Sequence, residues 1–356
     1  SITSLQKIVP ENKPPKQKIQ KPKKIKKNVV KKSREISLYS PEYLAKKHGI
    51  KINETKIQKT PTKNKYQIKS DVAYNVNKKF GYFPKENKTF KEEIFLNKRK
   101  IDEILYSINK FGHRVTGETK LNTKECVFFH GGSFTFGQMV NDHETLPYIF
   151  NINSNNKYRV FNLAFNGYGA HQFLAKLETK YLDDYNNCKE TIIIYQFIPD
   201  HIGRSAGRRS WGDKSPRYIF ENNQLVNKGF FSNYPFKIIM KIRKNFRNSK
   251  IISNLIYNPE IDTVSEQNIF VKILQKTESL SKQIFNSANF IYIVWDYDKI
   301  KNKNLKNFFN KSNIILVNNL KIDKDRIRNK YDEHPSKYLN YELSKVILKK
   351  LNRLNN

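Results

Sequence analysis

The pattern of apolar and polar positions changes character near residue 121. Beyond it, short apolar runs alternate with amphipathic stretches. Cys126–His130, Tyr158–Ala164, Thr191–Phe197, Phe290–Trp295 and Asn313–Val317 each predict a strand. Thr191–Phe197 is nearly all apolar, as a strand covered on both faces should be. Ala170–Tyr185 sets Phe173, Leu174, Leu177, Tyr181 and Leu182 along one stripe with charges opposite, which predicts a helix. Glu144–Phe150 predicts a short helix, interrupted by Pro147. A last helix begins near Ser336 and keeps Leu339, Leu343, Val346, Ile347 and Leu351 on one face. Strands alternating with helices predict a parallel sheet covered on both sides.

Other segments fit that frame less directly. Ile104–Thr116 reads as two short strands around a turn, a small antiparallel lead-in. Phe80–Pro84 is an aromatic cluster suited to pack on the main body. Between the third and fourth strands lies a long insertion, residues 203–289, with helix-like runs at Phe236–Tyr257 and Val264–Phe285. It leaves from the carboxyl ends of the strands, where open α/β sheets hold their ligands, so it is a candidate wall or lid. Residues 1–34 are dominated by Lys, carry Pro10, Pro14, Pro15 and Pro22, and lack apolar periodicity. They read as a disordered or extended tail or tether. Residues 35–120 read as an arm with accessory strands, including a short helix at Tyr43–His48, and residues 121–356 as the α/β domain.

Charge adds a partner class. The formal net charge is +35, and residues 1–70 alone carry 20 Lys/Arg against 4 Glu. Such a balance favours an anionic surface or polymer: nucleic acid, acidic glycan or lipid. A proteome that solvates its surfaces with lysine gives the same balance. Two cysteines, Cys126 and Cys188, make neither a disulfide framework nor a zinc set. Each precedes a strand-like run. Two buried free thiols are expected, with a single bridge as the alternative. No run reaches the length of a membrane span. The chain begins at Ser1 rather than Met, which leaves room upstream for an export signal or an anchor, and the compartment stays open.

The chemistry concentrates where the first predicted strand ends, at Phe129-His130-Gly131-Gly132-Ser133-Phe134-Thr135-Phe136-Gly137. Glycines allow a sharp turn and a close backbone approach. A serine on such a turn can be presented as a nucleophile with N–H donors beside it. Far along the chain, Asp332-Glu333-His334-Pro335 places an acid two residues before a histidine. Serine, histidine and carboxylate are the parts of a nucleophilic triad.

Gly131–Gly137 resembles the first block of the SGNH (GDSL-type) hydrolases, Asn162–Gly169 their second, and Asp332–Pro335 their last, in the right order over about residues 105–352. The resemblance implies an α/β three-layer sandwich with a five-stranded parallel sheet in flavodoxin-like order 2-1-3-4-5. It implies Ser133 as nucleophile, His334 as base and Asp332 as the acid that orients it. It implies an oxyanion hole from the backbone N–H groups of Ser133 and Gly167. The family's usual third donor is an asparagine amide, and Gln196–Arg204 contains none. His201 is the candidate replacement; Asp200, ionised, accepts only. Two further departures are Gly132 in place of an aspartate and Asp-x-His in place of Asp-x-x-His.

Arg204, Arg208 and Arg209 are candidate grips on an anionic substrate. No phosphate loop, dinucleotide fingerprint or metal-ligand cluster is present, so neither cofactor nor metal is expected. The first functional expectation is a serine esterase cleaving an acyl, in particular an acetyl, ester of a small molecule or glycan. The second is an O-acyltransferase acting on a surface polysaccharide with the same triad. The third is a non-catalytic binder of acidic glycan or nucleic acid on a degraded scaffold.

Overall fold

The computed structural model describes residues 66–118, 123–182, 187–188, 190–209, 212–233, 264–285, 288–320, 327–329 and 332–354. The expected tail at 1–34, the short helix at Tyr43–His48 and the run Phe236–Tyr257 lie outside these residues.

Five strands form the expected parallel sheet: β6 (Glu125–Gly131), β7 (Arg159–Asn162), β8 (Glu190–Phe197), β11 (Ala288–Val294) and β12 (Ile314–Leu316). Their spatial order is β12-β11-β8-β6-β7, all pairs parallel, which is the flavodoxin-like order 2-1-3-4-5. The fold is thus an α/β three-layer sandwich. Its two covers follow from the alternation of side chains along a strand. Val127 and Phe129 of β6 face a cluster with α2 (Leu146–Asn153) and α7 (Lys337–Leu354), through Phe150, Leu339, Leu343 and Ile347. Cys126 and Phe128 face the other way, towards α3 (Ala170–Glu178), α5 (Val264–Ile284) and α6 (Lys303–Asn310), through Phe173, Leu174, Phe270 and Phe309. Phe128 is fully buried, and cutting it to alanine costs about 3–5 kcal/mol.

Cys126 and Cys188 are joined in a disulfide, with Cα atoms 5.6 Å apart. This corrects the expectation of two free thiols. The strands that follow them, β6 and β8, are neighbours, and Cys126 stands beside Thr191 in the ladder. Pairing across that register brings the thiols within reach, which no reading of single segments could settle. Closing a 62-residue separation removes about 4 kcal/mol of chain entropy from the unfolded state.

The helix expected over Ala170–Tyr185 stops at Glu178. Lys180 takes a left-handed φ of 58°, and Tyr181 donates its N–H back to the Lys176 carbonyl at 3.0 Å. Such a turn closes a helix by satisfying its last carbonyls. Tyr181 then packs on Phe80, ring centroids 4.5 Å apart, so the aromatic cluster at Phe80–Pro84 does dock on the body.

The lead-in is larger than a pair of short strands. β4 (Lys88–Leu96) and β5 (Arg99–Ile108) form a long antiparallel hairpin, and β1 (Tyr66–Ser70) adds to β4. A separate pair, β2 (Tyr74–Asn77) with β3 (Gly81–Pro84), completes it. Ile104 to Ile108 is the end of β5; Arg114 then makes single bridges to Ile108 and to Asn162 of β7. Through Arg114 the lead-in is joined to the edge of the main sheet. The described part of the insertion holds α4 (Asp200–Ser205), a hairpin of β9 (Pro216–Glu221) and β10 (Gln224–Phe230), and α5. That hairpin turns through Asn222 and Asn223, both at positive φ, the signature of a type I′ turn.

Candidate functional site

β6 ends at Gly131, and Ser133 opens a single helical turn, α1 (Ser133–Phe136). The two glycines answer different needs. Gly131 has φ +147°, and a Cβ there would lie 2.5 Å from Thr135 Oγ1. Gly132 has an ordinary negative φ. A Cβ there would meet Arg204 Nη1 at 2.5 Å, His201 Nε2 at 2.9 Å and the Tyr168 carbonyl at 3.0 Å. Where the resemblance leads one to expect aspartate, the space belongs to Arg204 and His201. The turn closes on Gly137, at φ 83°, which donates its N–H to the Ser133 carbonyl at 2.9 Å.

Two buried side chains pin this turn from outside. Arg114, 1% exposed, donates through Nε to Asp142 at 2.8 Å, through Nη1 to the carbonyls of Phe136 and Gly137, and through Nη2 to those of Leu105 and Val140. Its plane stacks over Tyr106 at 4.5 Å. Burial pulls its pKa down, and Asp142 opposes that. Asn162 donates to the Thr135 carbonyl at 3.2 Å. The Ser133 side chain is nearly buried, and its hydroxyl makes no hydrogen bond among the described residues. The same holds for the N–H groups of Ser133 and Gly167, the latter at φ 80°.

At the far end of the chain, β14 (Asp332–Pro335) pairs with β13 (Ile327–Asn329). Residues two apart on a strand face the same way, so Asp332 and His334 meet on one face of β14. Asp332 Oδ1 accepts from His334 Nδ1 at 2.5 Å and from the His334 N–H at 2.8 Å. In a neutral ring this bond takes the proton of Nδ1 and leaves the lone pair on Nε2. Among the described residues Nε2 is buried without a hydrogen-bond partner. Phe134, the residue after Ser133, lies against the imidazole at 5.1 Å between centroids and against Trp295 at 4.8 Å. The serine turn and the Asp332–His334 pair are thereby brought together.

The remaining candidates separate. His201 is buried, its Nδ1 bonded to the Tyr195 hydroxyl at 2.6 Å, while Nε2 abuts Gly132 without a partner. Burial, then Arg204, holds its pKa well below the usual histidine value. Arg204 donates to Asp200 at 2.7 Å and to the Tyr168 carbonyl at 2.7 Å. Arg209 also pairs with Asp200, and Arg208 with Glu266 of α5. Among the three arginines only Arg204 lines the cavity beside Ser133.

That cavity measures about 520 Å3 and is bounded by Ser133, Gly167, Arg204, Tyr74, Tyr82 and Glu92, with others. Ser70, Val72, Tyr74, Tyr82 and Glu92 of this wall come from the lead-in, which the sequence presents as an accessory. One signal was available: Glu92 occupies an inward position between Phe90 and Ile94 in the alternation of β4. A larger hollow of about 1090 Å3 lies between β9, α5 and α6, away from Ser133, and Asp332 and His334 line neither of the two. Among the described residues no cluster of His, Cys, Asp and Glu could hold a metal ion, and no helix is long and apolar enough to cross a membrane.

No family model matches the chain, and no curated protein matches it. Among solved structures, the chain is similar to one described as "The active site of a carbohydrate esterase displays divergent catalytic and non-catalytic binding functions". The two share 10% identity at a TM-score of 0.36, over 82% of this chain and 98% of that one.

Proposed function

We propose that the chain is a serine esterase of the SGNH type, acting on an acyl ester through Ser133. The observation that carries this reading is the carboxylate-held imidazole: among the described residues His334 is bonded at 2.5 Å to Asp332 with no bond on its Nε2, and its ring packs on Phe134, the residue after Ser133. Ser133 Oγ attacks the acyl carbon and His334 Nε2 takes its proton. Asp332 steadies the imidazolium that results. The negative oxygen of the tetrahedral intermediate is met by the N–H groups of Ser133 and Gly167, with His201 or Arg204 beside Gly132 as further donors. When the carbon–oxygen bond breaks, the alcohol leaves with the proton from His334. Water then attacks the acyl-enzyme, His334 takes its proton, and the carboxylic acid departs as Ser133 is restored. Base and nucleophile without a mutual bond are usual before substrate arrives, since such contacts tighten in the complex.

A fluorophosphonate probe tests the reading without a choice of substrate. The wild-type chain should be labelled at Ser133 and should release p-nitrophenol from p-nitrophenyl acetate. Ser133→Ala should do neither. A folded wild-type chain that does neither would remove the esterase reading.

A further inference from the structure

Glu92 has no part in that chemistry. It is 2% exposed and sits on the inward face of β4, where its neighbours Phe90, Ile94 and Leu96 are all buried apolar side chains. A carboxylate in such a place needs partners. One is Tyr106, whose hydroxyl donates to Glu92 Oε2. The Tyr106 oxygen in turn accepts the N–H of Met139 at 2.9 Å, just beyond the serine turn. Arg114 lies close enough to act on the charge. The other oxygen, Oε1, accepts from no described residue. Glu92 shares the wall of the 520 Å3 cavity with Ser133, and Tyr74 and Tyr82 share it too.

We propose that Glu92 recognises the alcohol part of the substrate, accepting hydrogen bonds from hydroxyls of a sugar held in the Ser133 cavity. Three features point this way. The carboxylate is acceptor-only, so it suits a ligand rich in hydroxyl donors. It is fixed by Tyr106 rather than free to swing, so it can select geometry. Aromatic side chains in the same wall suit the C–H faces of a sugar ring, and the volume falls in the usual range of small-ligand sites. A small aryl ester offers no hydroxyls and would not use this group. The proposal rests on the esterase reading in so far as the sugar arrives as an ester.

The test uses the full chain and the Glu92→Gln variant, which keeps the shape and an acceptor for Tyr106. The substrates are the four mono-O-acetyl methyl glucopyranosides and p-nitrophenyl acetate. The wild-type chain should cleave at least one sugar ester. In Glu92→Gln the ratio of kcat/KM for that ester to kcat/KM for p-nitrophenyl acetate should fall about tenfold or more, the usual size for a lost bond to a charged group. The loss should appear mainly in KM. Tyr106→Phe should shift the ratio in the same direction. An unchanged ratio, including equal losses on both esters, would overturn the proposal by making Glu92 purely structural. So would cleavage of the aryl ester with none of the sugar esters. Saturation-transfer NMR with methyl glucoside separates the two readings. Glycoside binding that is lost in Glu92→Gln, in a chain that cleaves no ester, would sink the esterase and keep the sugar site. Absence of binding in such a chain would sink both.

Discussion

Buried polar groups in this molecule fall into two kinds, and His130 and His334 show them side by side. His130, the third residue before Ser133, is stacked between Phe173 and Tyr195 at 4.0 and 4.5 Å, with neither ring nitrogen hydrogen-bonded. Burial drives its pKa well below the usual value, so it stays neutral and packs between the two rings. His334 lies on the opposite cover, with Phe134 and Trp295. It has a carboxylate on Nδ1 and an open Nε2. The same side chain is packing material in one place and a candidate base in the other. The difference is a partner for one nitrogen and a side chain that keeps a fifth of its surface exposed. Arg114 extends the lesson: although almost wholly buried, it is bonded through Nε, Nη1 and Nη2 to a carboxylate and four carbonyls.

The comparison can be broken most directly by exchanging roles. His334→Ala should lower kcat for p-nitrophenyl acetate about 10,000-fold, whereas His130→Leu should change it less than about tenfold. Equal losses in steady-state assays would mean that His130 acts in the chemistry and that the distinction is false. Arg114→Met tests the satisfied kind. It leaves Asp142 and the carbonyls around the serine turn without their donor and should cost about 3–5 kcal/mol in urea unfolding. A cost below about 1 kcal/mol would show that the turn holds its shape without the clamp.

Two further buried histidines predict a pH profile. Burial pushes His113 and His171 down to about 3. Their unfolded forms take up protons near pH 6.5, so stability should be full above that value and fall as pH drops towards 3. His113→Leu should flatten this fall in urea titrations at pH 7 and pH 4.5. Lys176 sharpens the comparison at the alkaline side. It is buried beside Phe80, Tyr168 and Tyr181 and has one bond, to the Leu163 carbonyl at 3.1 Å. Burial brings its pKa down to about 7. Between pH 7 and its ordinary value near 10.5 only the unfolded chain is protonated there, so stability should rise with pH. Lys176→Met should remove that rise, and a rise of the same size in the variant would place its source elsewhere.

The parallel sheet was legible because its inner strands β6, β8 and β11 are largely apolar runs, and burial on both faces leaves that mark on the sequence. The β4–β5 hairpin was not, because Lys91, Glu92 and Glu93 interrupt the apolar rhythm of β4. The β9–β10 hairpin carries a usable signal in Asn222-Asn223, a pair that tolerates positive φ. In the site, glycine, serine, acid and histidine types could be picked out by their spacing. The reason for Gly132 could not, since it lies in Arg204 and His201 from a different segment.

Local pattern determined the strands of the parallel sheet, the helices α3, α5 and α7, the serine turn and the Asp-x-His pair, because each depends on neighbours a few residues away. Tertiary structure decided what those pieces meet. It joined Cys126 to Cys188, set His334 against Phe134, buried four carbonyl bonds on Arg114, and made the lead-in a wall of the Ser133 cavity. Those contacts cross tens to hundreds of residues. They arise only when the sheet order brings distant segments to one edge, and no periodicity along the chain encodes that.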